Sequence, residues 1–170
     1  MPASYYTALE NDAARQDDEL CRSRSVDPDD VSISNEYGEI IHPISELNFT
    51  KRLLRDYLMI CFSSRLTTEI SSGFSGTDAC LIVHDPDALL ERIHAEVERA
   101  LPGCITVDAP VSYGLPHGLG VAYSKPTAYA SQCEYRLTAS PPDDCTLSPL
   151  TICIGSIETI AEVLLLDAAP

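Results

Sequence analysis

Hydrophobic positions in this chain come in short runs, and their spacing changes from one run to the next. Leu89, Ile93 and Val97 recur every fourth residue, with Leu90 and Leu101 widening the stripe, which predicts one long amphipathic helix. Asp85 stands where the first free backbone N–H groups need a cap. Pro86 suits the first helical position, and Pro102-Gly103 ends the helix. Tyr57–Phe62 and Cys80–His84 are continuous apolar runs too short for a helix, and they predict buried strands. Further strands are expected at about Cys104–Val107, Gly120–Tyr123, Cys133–Ala139 and Leu150–Ile154. The turn-rich stretches Ser71–Gly76, Pro110–Gly118 and Pro141–Asp144 separate them. Ile157, Ile160, Ala161 and Leu164 give the last segment an apolar face and predict a short helix capped by Ser156. The pattern reads as an α+β fold: a mixed or antiparallel sheet of about five to six strands with one long and one short helix.

Charge changes this picture at the N-terminus. Of 26 acidic residues, 11 fall within the first 48 positions, against three basic ones, Arg15, Arg22 and Arg24. A segment so polar does not readily build its own core. Residues 1–48 are therefore expected to form an acidic arm and residues 49–170 the α+β domain. The dense basic cluster Lys51-Arg52-Leu53-Leu54-Arg55 opens that domain. A formal net charge of −15 repels phosphate backbones and anionic membranes, so neither nucleic acid nor a membrane is an expected direct partner. It suits a basic protein, and Asp17, Asp18, Glu19, Asp27, Asp29 and Asp30 are the candidate contact residues.

Cysteine and histidine narrow the chemistry. Seven cysteines, an odd number without a C-x-x-C pair, argue against a disulfide framework, and no signal peptide is apparent; a reducing cytoplasm fits. His42, His84, His94 and His117 lack ligand spacing, so no metal is expected, and His94 is read as an exposed residue on a polar helix flank.

The stretch Lys125-Pro126-Thr127-Ala128-Tyr129-Ala130-Ser131-Gln132-Cys133-Glu134-Tyr135-Arg136 carries the clearest chemical pattern. Gln132 and Glu134, two apart on a strand, would share one face, where an amide beside a carboxylate can hold a ribose. On the same spacing Glu134 and Arg136 would share a face as a plain salt bridge. This stretch resembles a family of bacterial and phage proteins. The similarity extends through Cys61-Phe62-Ser63, Asp78-Ala79-Cys80, Asp85-Pro86 and Ile154-Gly155-Ser156-Ile157, and covers roughly residues 43–163. That family is distantly similar to ADP-ribosyltransferases. The resemblance implies NAD as cofactor and an ADP-ribosyltransferase-like core. It further implies Glu134 as the carboxylate stabilising a cationic sugar, Gln132 as the residue orienting the acceptor, and Ser63 as support for the nicotinamide pocket. The chain departs from those enzymes where they carry an early-strand Arg that grips the dinucleotide phosphates: here that region is the acidic arm. Two functions follow. One is an acidic, phage- or mobile-element-type interaction protein that inhibits or regulates a basic, nucleic-acid-binding host protein, an anti-defence role without a cofactor. The other is an NAD-using transferase.

Overall fold

The computed structural model describes residues 1–7, 18–67, 70, 77–142 and 146–166. In chain order its strands are β1 (Cys21–Val26), β2 (Ile33–Ser34), β3 (Ile40–Ile41), β4 (Leu47–Arg52), β5 (Leu58–Ser63) and β6 (Ala79–Val83). After them come β7 (Ile105–Pro110), β8 (Ser112–Tyr113), β9 (Ser124–Lys125), β10 (Glu134–Ser140) and β11 (Ala161–Leu165). A single helical turn, α1 (Ser4–Thr7), precedes β1, and the long helix α2 (Pro86–Ala100) separates β6 from β7.

Alternation along β10 organises the centre. This strand lies between β5 and β7, antiparallel to both. Leu137 and Ala139 point to one face, beside their cross-strand partners Ile60 and Leu58, and Leu89, Ile93 and Val97 of α2 cover that face. Glu134, Arg136 and Thr138 point to the other face. Helix α2 forms where its sequence predicts. The Asp85 carboxylate accepts from the Ala88 N–H, Pro86 takes the first position, and Gly103 supplies the positive φ of the turn beyond Leu101.

The remaining strands form pairs. β1–β4, β6–β11 and β2–β3 are antiparallel, and β8–β9 is parallel. The fold is thus mixed α and β, but its strands form several small sheets in place of one sheet of five or six. The expected break between residues 48 and 49 falls inside β4, whose partner β1 belongs to the acidic segment. Met1 and Ala3 pair with Tyr57 and Met59 on the outer edge of β5, so the first residues also pack on the body.

Three expected elements take other forms. Residues Leu150–Ile154 form no strand among the described residues, though Leu150, Ile152 and Ile154 still pack on the core cluster. No helix follows Ser156: Ile157 and Ile160 anchor a turn to the core, and the chain then enters β11, with Ala161 opposite Val83 of β6. The helical spacing of Ile157, Ile160, Ala161 and Leu164 yields to tertiary pairing, which β-branched Val163 suits. Gly120–Tyr123, expected as a strand, is a 3₁₀ turn behind Gly120 (φ 93°), with Val121 and Tyr123 buried. The Ser71–Gly76 loop lies outside the described residues. Among the described residues no helix is long and apolar enough to cross a membrane.

Candidate functional site

The polar face of β10 is closed by a buried ion network. Arg136, fully buried, donates to both carboxylate oxygens of Glu19 (2.6 and 2.8 Å) and to both of Glu134 (2.8 and 3.2 Å). It also donates to the Ala122 carbonyl at 2.6 Å. Lys125, on β9, places its ammonium 2.9 Å from Glu134 and 2.9 Å from Gln132 Oε1, with the Tyr129 ring 5.0 Å away. Arg22 of β1 reaches Glu19 Oε2 at 3.0 Å from the partly exposed rim. The Tyr57 hydroxyl donates to the Glu19 carbonyl. Among the described residues no buried side-chain nitrogen or oxygen lacks a partner. Burial alone would raise the Glu134 pKa, but the Arg136 guanidinium and the Lys125 ammonium outweigh it and bring the carboxyl down to about 2. Although Cys61 as a whole is exposed, desolvation around its sulfur and the Glu134 carboxylate push the thiol up, the opposite of what a nucleophile needs.

The residues expected to perform transferase chemistry are drawn together, with Glu134 buried, Gln132 half-buried and Ser63 exposed. Gln132 does not share a strand with Glu134: it ends a 3₁₀ helix, Thr127–Gln132, and Cys133 turns the chain in a left-handed conformation (φ 43°). The two side chains meet on Lys125 instead. Ser63 Oγ lies 2.7 Å from the Arg65 carbonyl and 2.8 Å from that of Gln132, either of which accepts its proton. An apolar cavity of about 510 Å³ is lined by Leu58, Ile60, Ile93 and Leu137 from the α2 side of the sheet and by Tyr6, Met59 and Cys61 around β5.

The acidic candidates divide by exposure. Glu19 is 2 % exposed and belongs to the network, so it is not a contact residue on the surface. Asp18 is exposed and accepts from the Leu20 N–H, while Asp17 lies outside the described residues. Asp27, Asp29 and Asp30 are exposed at the start of an excursion that leaves β1 and returns at β4. Residues 27–46 hold six carboxylates, those of Asp27, Asp29, Asp30, Glu36, Glu39 and Glu46, and no Lys or Arg. All six are exposed.

Asn35 shapes the tip of this excursion. Its side-chain oxygen accepts from the Tyr37 and Glu39 N–H groups and its amide donates to the Glu39 carboxylate, while Gly38 supplies the positive φ. The short β2–β3 ladder flanks the turn. Sequence reading missed the apolar part of this surface: Tyr37, Ile40, Ile41 and Ile44 are 81, 64, 49 and 102 % exposed. The signal was present as isoleucines inside a segment too acidic to supply a core around them.

His94, expected to be exposed, is half-buried. Its ring lies in the seam between α2 and the sheet, 2.7 Å from Thr106 Oγ1 and 2.7 Å from Asp108 Oδ1, and the Tyr135 hydroxyl donates to the other Asp108 oxygen. Period-two spacing on β7 puts Thr106 and Asp108 on the face that meets α2. Among the described residues no cluster of His, Cys, Asp or Glu is arranged to hold a metal ion.

No protein-family model matches the chain, and neither a curated protein nor a solved structure matches it.

Proposed function

We propose that this chain works by binding, as an acidic interaction protein whose 27–46 excursion docks on a cationic protein surface with apolar pockets. The carrying observation is that excursion itself: six exposed carboxylates without a Lys or Arg, interleaved with exposed Tyr37, Ile40, Ile41 and Ile44. Exposed apolar side chains of this density mark contact surfaces, and carboxylates around them select a positive partner and speed encounter. Nucleic-acid-binding proteins present cationic grooves of this kind, so the chain would compete with nucleic acid for such a groove and thereby inhibit or regulate its owner. This favours the anti-defence type of role over transfer chemistry from NAD, because Glu134 and Gln132 are committed to Arg136 and Lys125.

A binding panel of basic nucleic-acid-binding proteins, run at low and high salt with and without competing DNA, tests the reading. The comparison is with a variant carrying Asn at Asp27, Asp29 and Asp30 and Gln at Glu36, Glu39 and Glu46. Binding that weakens with salt, yields to DNA and disappears in the variant supports the proposal. Equal binding by the variant overturns it.

A further inference from the structure

We infer that Thr106, His94 and Asp108 form a nucleophile–base–carboxylate relay that accepts acyl groups from small activated esters. The geometry carries this. The two nitrogens of one imidazole are each 2.7 Å from a different partner, Thr106 Oγ1 at Nδ1 and Asp108 Oδ1 at Nε2. A base within hydrogen-bond reach of a hydroxyl, itself oriented by a third group, is the general arrangement of an activated oxygen nucleophile. Here the two ring nitrogens exchange the roles they have in serine-protease triads, which the symmetry of proton transfer through imidazole permits.

A fourth residue engages the carboxylate. Tyr135 donates its hydroxyl to Asp108 Oδ2, and this bond, with that from His94, keeps the carboxyl below its usual range despite partial burial. In the tautomer that donates Nε2–H to the Asp108 carboxylate, the Nδ1 lone pair faces the Thr106 hydroxyl. The His94 and Asp108 side chains remain 28 and 26 % exposed, so a small reagent can reach the seam.

In the reaction Thr106 Oγ bonds to the acyl carbon while its proton passes to His94 Nδ1. The bond from that carbon to the departing alcohol breaks, and the alcohol leaves with the proton from Nδ1. Water then attacks the acyl-threonine with Nδ1 as base, releasing the carboxylic acid and restoring the hydroxyl. Asp108 stabilises the imidazolium formed in each half.

Incubating the full chain with p-nitrophenyl acetate and mapping the product by mass spectrometry tests this. The expected result is one acetyl ester on Thr106, removed by hydroxylamine, present also in Thr106→Ser and absent from Thr106→Val. Labelling of Thr106 should slow roughly a hundredfold in His94→Gln and in Asp108→Asn, the usual worth of a positioned base. Acetyl found only as hydroxylamine-stable amides on Lys51, Lys125 or the amino terminus overturns the inference. So does an undiminished labelling rate in His94→Gln that keeps the wild-type circular dichroism. Should that variant not fold, the contrast between Thr106→Ser and Thr106→Val decides alone.

Discussion

Glu19 and Arg136 lie 117 residues apart in the chain and meet in a bidentate ion pair, at 2.6 and 2.8 Å, beneath the central sheet. Arg136 holds Glu134 on its other side, and Lys125 adds a second ammonium, so two buried cations balance two buried carboxylates. The pairing explains how an acidic segment folds at all. One of its carboxylates is the missing counter-charge of the core, and the Leu53 N–H to Leu20 carbonyl bond follows from docking it there. The acidic segment therefore combines a buried anchor at Glu19 with an exposed excursion at residues 27–46.

Removing Arg136 should destabilise the whole protein. Arg136→Met leaves Glu19 and Glu134 without their shared guanidinium in a site that water does not reach, and breaking such an arrangement costs about 3–5 kcal/mol. Urea unfolding followed by circular dichroism would register this as a large fall in midpoint. The exposed pair Arg99–Glu96 on α2 provides the contrast, and Arg99→Ala should leave the midpoint where it is. Equal midpoints for wild type and Arg136→Met would mean that the network contributes nothing to stability.

The tip of the excursion should depend on one side chain. Asn35 satisfies the N–H groups of Tyr37 and Glu39, which Asn35→Ala would expose to water. Loss of such a side-chain cap is typically worth about 1 kcal/mol, and here the loss is local. Amide exchange at Gly38 and Glu39 should accelerate while amides of β10 keep their protection. If the excursion carries binding, the same variant should also bind its partner more weakly, because the Tyr37 and Ile40 positions loosen.

How much of this was legible beforehand depended on whether a residue's partner was local. Helix α2 was readable because Asp85, Pro86 and the Leu89–Ile93–Val97 stripe all act within a few residues of one another. β5, β6 and β10 were readable from apolar runs and alternation. Ile157 to Leu164 was misassigned because spacing cannot reveal that β6 offers an unpaired ladder. Glu134 and Arg136 were correctly placed on one face, but nothing near them pointed to Glu19. His94 escaped for the same reason: Thr106 and Asp108 lie on another element, and only packing brings them to its ring.

Cys133 offers a test of stored backbone strain. It is the only residue other than glycine with positive φ among those described, held there between the 3₁₀ helix and β10. The left-handed conformation costs an L side chain about 1–2 kcal/mol, whereas glycine adopts it freely. Glycine also gains roughly 0.5–1 kcal/mol of entropy in the unfolded chain. The difference favours Cys133→Gly by up to about 1.5 kcal/mol, measurable as a raised melting temperature. Destabilisation would mean that the Cys133 side chain contributes more packing than its weak contact with the Ala130 carbonyl shows.

Acid should unfold the protein through Glu134. Its carboxyl titrates at about 2 in the folded state against 4.5 for the free group. Burial opposes ionisation there, and Arg136 and Lys125 overcome it. Because the folded pKa is depressed, the unfolded state binds the proton first as pH falls. The stabilisation is therefore complete above about pH 5, and it declines as pH drops from about 4.5 toward 2. A displacement of this size corresponds to roughly 3 kcal/mol. Urea midpoints measured between neutral pH and pH 3 should fall steeply in wild type. Glu134→Gln, already weaker at neutral pH because Arg136 and Lys125 lose their counter-charge, should show a shallower acid slope. Parallel slopes for the two proteins would place the acid sensitivity on other carboxylates.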